Sequence, residues 1–229
     1  MASLSGKKNG TPPVLLAIRE TLYTTSALGP FVSRIKNDLK PEFPWSNFVE
    51  ANKALKKNDK ATAIGLLKQI AAAEGLGTRI YLQAWHSLRG LGELPPEPLR
   101  GQIQGFIIEN HMEQGLDLLA AYADHTARYS NYSGAGLVWD TRDPEIDHLI
   151  DDMLSVGQEL MKWIGVNQNE NLPIPPKGSI RLFMMSYDGS YSGEGPYAQF
   201  FQGQTAGYAI QVGHNLMMGL IKKAQSNFK

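Results

Sequence analysis

Residues 116–131, LDLLAAYADHTARYSN, decide the fold, because their composition and their surroundings point in opposite directions. The leucines and alanines favour helix, whereas the glycines that bound the block, Gly115 and Gly134, favour strands. We read two antiparallel strands with a turn at Asp124 and His125, both of which are turn formers. On either side, residues 103–109 (IQGFIIE) and 134–140 (GAGLVWD) are compact apolar, strand-like runs. Together these four segments make an antiparallel meander, with connections at 113–115, 124–125 and 132–134. If residues 117–128 coiled instead, the fold would be mostly helical.

The block GLDLLAAYADHTARYSNYSG (115–134), followed by Val138, Trp139 and Asp140, resembles one in a family of uncharacterised bacterial proteins. It covers less than a fifth of the chain, and the resemblance implies a bacterial protein without supplying a function.

After the meander, Asp143 caps a helix whose first residue is Pro144. Its buried face carries Ile146, Leu149, Ile150, Met153, Gly157, Leu160 and Ile164, and Gly165 ends it. Leu149, Met153 and Leu160, with Trp163 or Ile164, are expected to be closed to solvent. A polar loop through Pro173, Pro175 and Pro176 leads to a fifth strand, 179–186 (SIRLFMMS). The glycine-rich stretch 188–196 (DGSYSGEGP) reads as a mobile surface loop, and a last helix covers about 208–223.

The first half is helical. Phe48, Ala51 and Leu55 share a face over 46–57. A helix capped by Asp59 carries Ala63, Leu67, Ile70 and Glu74 and ends at Gly75 and Gly77. A third, 78–91, places Tyr81, Ala84, Trp85, Leu88 and Leu91 on one stripe and stops at Gly92, ahead of Pro95, Pro96 and Pro98. These hairpins resemble a fragment of a tetratricopeptide-type solenoid in architecture, without a second copy at a period of about 34 residues. The expectation is therefore an α+β protein. It has a disordered tail (1–11), a helical-hairpin region (12–94) and an α+β domain (99–229) built on a meander of about five strands covered by two helices.

The 229 residues include 22 basic and 22 acidic side chains, so no net field draws in nucleic acid or an anionic membrane. The cluster Lys53, Lys56, Lys57 and Lys60 is offset by Asp59 and reads as a solvated helix end. The absence of cysteine excludes disulfides, thiolate metal sites and a cysteine nucleophile, and suits a reducing compartment. No stretch approaches the roughly 20 apolar residues of a membrane span, so a cytoplasmic protein is expected.

Candidate chemistry concentrates in one hairpin. Asp117, Tyr122, Asp124, His125, Arg128, Tyr129 and Asn131 supply a base, an orienting carboxylate and a cationic clamp. Strand periodicity puts Tyr122 and Asp124 on one face, and Glu194, with Tyr197 beside it, would join from the glycine-rich stretch. The structural alternative makes Asp124 and His125 turn formers and pairs Arg128 across strands with Asp117 or Glu109. Glu109, His111 and His125 are metal-ligand types, but their spacing matches no ligand pattern, and strand-end Glu and His are expected to be solvated. His148 and Asp152, four apart, fall on a polar helix face, and His86 and His214 have no visible partner. Phosphate-loop, dinucleotide and nucleophile-elbow motifs are all missing, including around Ser133. No cofactor and no reaction is implied. The first functional reading is an interaction or scaffold module that presents its helical hairpins and sheet edge to a protein partner or a second copy. The second is a small-molecule binder or hydrolase using the 117–131 hairpin with Glu194, and a convergent pocket discriminates between them.

Overall fold

A computed structural model describes residues 13–35, 42–169 and 172–226; the expected tail, 1–11, lies outside the described residues. The contested block forms strands. β1 (Ile103–Met112), β2 (Gly115–Tyr122), β3 (Ala127–Ser130) and β4 (Gly136–Trp139) make an antiparallel meander. Ile107 stands opposite Ala120, and Leu119 opposite Tyr129. Strand wins over helix because both faces of β2 are covered: Leu116, Leu118, Ala120 and Tyr122 enter one core, Leu119 and Ala121 the other. A strand buried on both sides has no polar alternation, which is why its composition mimics a helix.

Beyond β1 the sheet continues with β5 (Ser179–Ser186) and β6 (Gly189–Pro196), giving six strands in the order β4-β3-β2-β1-β5-β6. The sixth strand corrects the sequence reading, because the glycine-rich stretch is an edge strand paired with β5 along its whole length. Its glycines make room for neighbours rather than slack. A Cβ on Gly195 would lie 2.6 Å from the Phe200 ring, and one on Gly189 would lie 2.7 Å from Val166. Tyr191 meanwhile anchors the strand in the core.

Eight helices surround this sheet among the described residues. One face meets α6 (Pro144–Met161) and α8 (Gln204–Ser226), so that Ile146, Ile150, Met153, Leu216 and Leu220 share a core with Phe106, Ile108, Leu182 and Met184. Gly157 lets α6 approach closely, since a Cβ there would lie 2.5 Å from Ile103 Cδ1 and 2.8 Å from the Phe106 ring. α6 ends at Met161 rather than at Gly165. The amides of Lys162 and Trp163 bond three residues back, tightening the last turn, and Val166 then leaves to bridge Tyr191. Trp163 is consequently 84% exposed, so of the two alternatives Ile164 is the one that packs on the core; Met153 and Leu160 are buried, whereas Leu149 and Ile164 are only half-buried, short of the expected closure. A short helix, α7 (Tyr197–Gln202), precedes α8, which begins four residues earlier than the sequence suggests.

The opposite face is covered by α1 (Pro13–Tyr23), which the sequence reading passed over, and by α5 (Thr78–Gly90). Leu15, Leu22 and Leu82 pack there on Ile107, Leu118, Tyr122 and Phe183. Gly105 is small because the Tyr122 ring crosses it, 2.9 Å from where a Cβ would stand. α2 (Leu28–Ile35), α3 (Trp45–Lys56) and α4 (Lys60–Ala72) stack on α5 around Phe48, Leu67, Ile70 and Leu88. Asp59 caps α4 by accepting from the Thr62 amide, as its position before the helix implies.

Candidate functional site: a cleft between helices and sheet

Pleating divides the polar hairpin, because neighbouring strand residues point to opposite faces. Asp117 and Tyr129 face α8, where the Tyr129 hydroxyl donates to Asp117 Oδ2 (3.1 Å) and the Tyr132 amide to Oδ1 (2.8 Å). Burial raises the Asp117 pKa, and burial together with the Asp117 charge pushes the Tyr129 phenol up to about 12. Tyr122 lies on the same, α1/α5, side of the sheet as Asp124 but within the core. Its side chain is fully buried, its hydroxyl donates to the Leu22 carbonyl (2.8 Å), and burial puts its pKa well above the ordinary phenol range. His125, at φ 61°, turns towards α6 and meets Asp151 at 2.9 Å.

Asp124 has a structural task that links two layers. Its Oδ1 accepts from the Thr126 amide and hydroxyl, closing the β2–β3 turn. Its Oδ2 accepts from the Thr78 amide at 2.8 Å. Gly77, at the start of α5, has no side chain to cap the helix, and Asp124 does so from 46 residues away.

Arg128 pairs with neither Asp117 nor Glu109. It lies on the α1/α5 side, donates to the carbonyls of Ala127 (2.8 Å) and Trp139 (3.0 Å), and meets Asp140 at 2.5 Å. Asp117 is on the other face and cannot reach it.

Asp124 and Arg128 border a cleft of about 430 Å³ between the sheet and the helices. Its charged lining is Arg34, Arg79, Arg128, Glu20, Asp124 and Asp140, and its apolar wall includes Phe31, Trp45 and Ile80. Arg34 is engaged with Glu20 (3.2 Å) and the Ser26 hydroxyl (2.7 Å). Arg79 differs. Its guanidinium stands 5.6 Å from the Tyr122 ring centroid, and among the described residues it makes no ion pair. It also occupies the first turn of α5, where the helix dipole disfavours a cation. That conflict is the signal by which sequence reasoning could have found it. Thr24, a β-branched residue at φ 50°, adds a strained position to the cleft wall.

Glu109, Arg181 and Glu194 lie elsewhere on the same side of the sheet, in register across β1, β5 and β6. Glu109 is fully buried rather than solvated. It accepts from Arg181 Nη1 at 2.7 Å and from Arg19 of α1, while Arg181 Nη2 pairs with Glu194. Both arginines also donate to the Pro173 carbonyl. Tyr23 is buried beside them, its hydroxyl close to Glu109 and the arginines without a well-formed hydrogen bond, and burial, then the Glu109 charge, raise its pKa far above the ordinary range. The network satisfies its own charges and fastens α1 to the sheet. Glu194 therefore does not join the hairpin residues. His111, whose Nδ1 lies 2.7 Å from the Pro175 carbonyl, does not meet Glu109 and His125 in a metal site. No group of three metal-ligating side chains occurs among the described residues, and none of their helices is long and apolar enough to cross a membrane.

Comparison with protein-family models, curated proteins and solved structures finds no match to this chain.

Proposed function

We propose that this chain binds a small organic anion in the cleft between α1, α5 and the β2–β3 turn. The observation that carries the reading is Arg79, a half-buried cation without a carboxylate partner in a concave site of ligand-binding size. The other charges of the cleft are engaged: Arg34 by Glu20, Arg128 by Asp140 and two carbonyls, Asp124 by α5 and Thr126. An incoming anion would complete Arg79 and meet the positive end of α5 as well. Titrating acetate and phosphate while following the amide resonances of Gly77, Thr78, Ile80 and Thr126 tests this. The shifts are expected in the wild type and absent in Arg79→Gln; cleft amides that respond to no anion would refute it.

The interaction-module reading has a separate observation in its favour. Tyr197 and Phe201 stack with centroids 5.8 Å apart, Phe201 and Tyr208 are each more than half exposed, and Val138 on the edge strand β4 is 65% exposed. Sedimentation of the wild type against Phe201→Ser with Tyr208→Ser tests it for self-association, with dissociation by the double variant as the supporting result.

A further inference from the structure

Resting on the anion-binding reading of the cleft, we infer that its ligand is a monocarboxylate carried on a planar aromatic body. Charge decides the first part. Three arginines and three carboxylates line the cleft, so its formal charge is zero. Arg34 and Arg128 are already held by Glu20 and Asp140, and Asp124 accepts only from the neutral donors of Thr78 and Thr126, so Arg79 is the one cation without an ion pair and Asp124 a negative charge that remains near it. A carboxylate pairing with Arg79 takes the neutral cleft to one net negative charge. A phosphate dianion would bring a second negative charge close to Asp124, Asp140 and Glu20, and like charges repel strongly in a partly desolvated cleft. The geometry of the cation agrees, since the Arg79 fork has no ion-pair partner and offers paired N–H groups to a planar carboxylate.

The wall decides the second part. Phe31 and Trp45 stand side by side with ring centroids 6.3 Å apart, and Trp45 is 38% exposed although it packs against Phe48. With Ile80 they form an apolar surface in the same cleft as Arg79, which suits a flat ring that stacks or packs edge-on. A bare inorganic anion would use none of it.

Four probes separate the elements of the inference: phenylacetate, acetate, phenyl phosphate and phenylacetamide, titrated calorimetrically and by the cleft amide shifts. Phenylacetate is expected to bind at least about tenfold more tightly than each of the other three. Arg79→Gln should abolish its advantage over phenylacetamide. Trp45→Leu and Phe31→Leu should each reduce its advantage over acetate without changing acetate itself, with the unfolding midpoint of each variant confirming a folded protein. Phenyl phosphate binding as tightly as phenylacetate would overturn the monocarboxylate. Equal affinity for acetate and phenylacetate would overturn the aromatic body while leaving the cleft an anion site. If no probe moved a cleft amide, the anion-binding reading would fall with the inference.

Discussion

Glu109→Gln should be among the most destabilising single changes in the protein. Glu109 is 0% exposed and is shared by two guanidiniums, Arg181 with a side chain 3% exposed and Arg19 at 12%. Glutamine keeps one acceptor oxygen but turns an NH₂ group towards the second arginine, so a donor faces a donor. Arg181 retains Glu194 and the Pro173 carbonyl, whereas Arg19 retains only Pro173 at 3.4 Å and the face of Tyr23. Breaking a buried pair from one side costs about 3–5 kcal/mol. At about 2–4 °C per kcal/mol for a chain of this size, the melting midpoint should fall by roughly 6–20 °C. Urea unfolding gives the free energy, and amide exchange should show α1 losing protection before the sheet does. Glu109→Leu combined with Arg19→Leu leaves Arg181 paired with Glu194 and should recover much of the loss. A Glu109→Gln midpoint within about 1 kcal/mol of the wild type would show that this network does not fasten α1.

Tyr23→Phe removes a buried hydroxyl that lies close to Glu109 and its two arginines without a well-formed hydrogen bond, and keeps the ring contacts with Phe183 and Arg19, so it should change stability by less than about 1 kcal/mol in urea; a larger loss would show that the hydroxyl is a bonded member of that network. Asp124→Ala removes the acceptor for Thr78 and Thr126 and should cost about 1–3 kcal/mol, with Asp124→Asn milder because one oxygen remains; equal midpoints for alanine and wild type would sink the cross-layer cap. Asp117 gives a pH signature. Burial raises its folded pKa above the unfolded value, so its contribution to stability declines as pH rises from the unfolded pKa through the folded one. Asp117→Asn should therefore gain on the wild type near neutrality and not at pH about 3, below the ordinary aspartate range; a difference that does not vary with pH would contradict this.

The meander was legible because turn chemistry and strand length agreed. Asp124 and His125 terminate β2 where a helix would have continued, and Gly115, at φ 139°, adopts backbone that other residues resist. β6 was not legible because its identity rests on partners rather than on its own residues. Glycine and serine have little strand preference, and only Phe200 and Val166, from neighbouring segments, explain why side chains are absent there. α1 was obscured by apolar residues on its exposed side: Val14 and Leu16 are 53% and 40% exposed beside the fully buried Leu15, which blurs the stripe. The site suffered differently. Density of polar groups along the chain treated one hairpin as one surface, and the pleat of β3 sends Arg128 and Tyr129 to opposite faces.

What joins the two halves of the cleft is the cap that Asp124 supplies to α5. The helix starts at Thr78, whose amide is held by the β2–β3 turn, and Arg79 is the next residue. The position of the cation relative to the sheet is thus set one residue away from a hydrogen bond between layers. Arg128 is fixed just as firmly by two carbonyls of its own sheet edge. Two arginines from segments about fifty residues apart in sequence are in this way held on rigid elements, the condition under which a binding site keeps its geometry without ligand. Asp124, which made the hairpin look reactive, and Asp140, which follows β4, have a structural role instead. Each is consumed in holding a donor in place, and the group left unsatisfied is the arginine that no local pattern singled out.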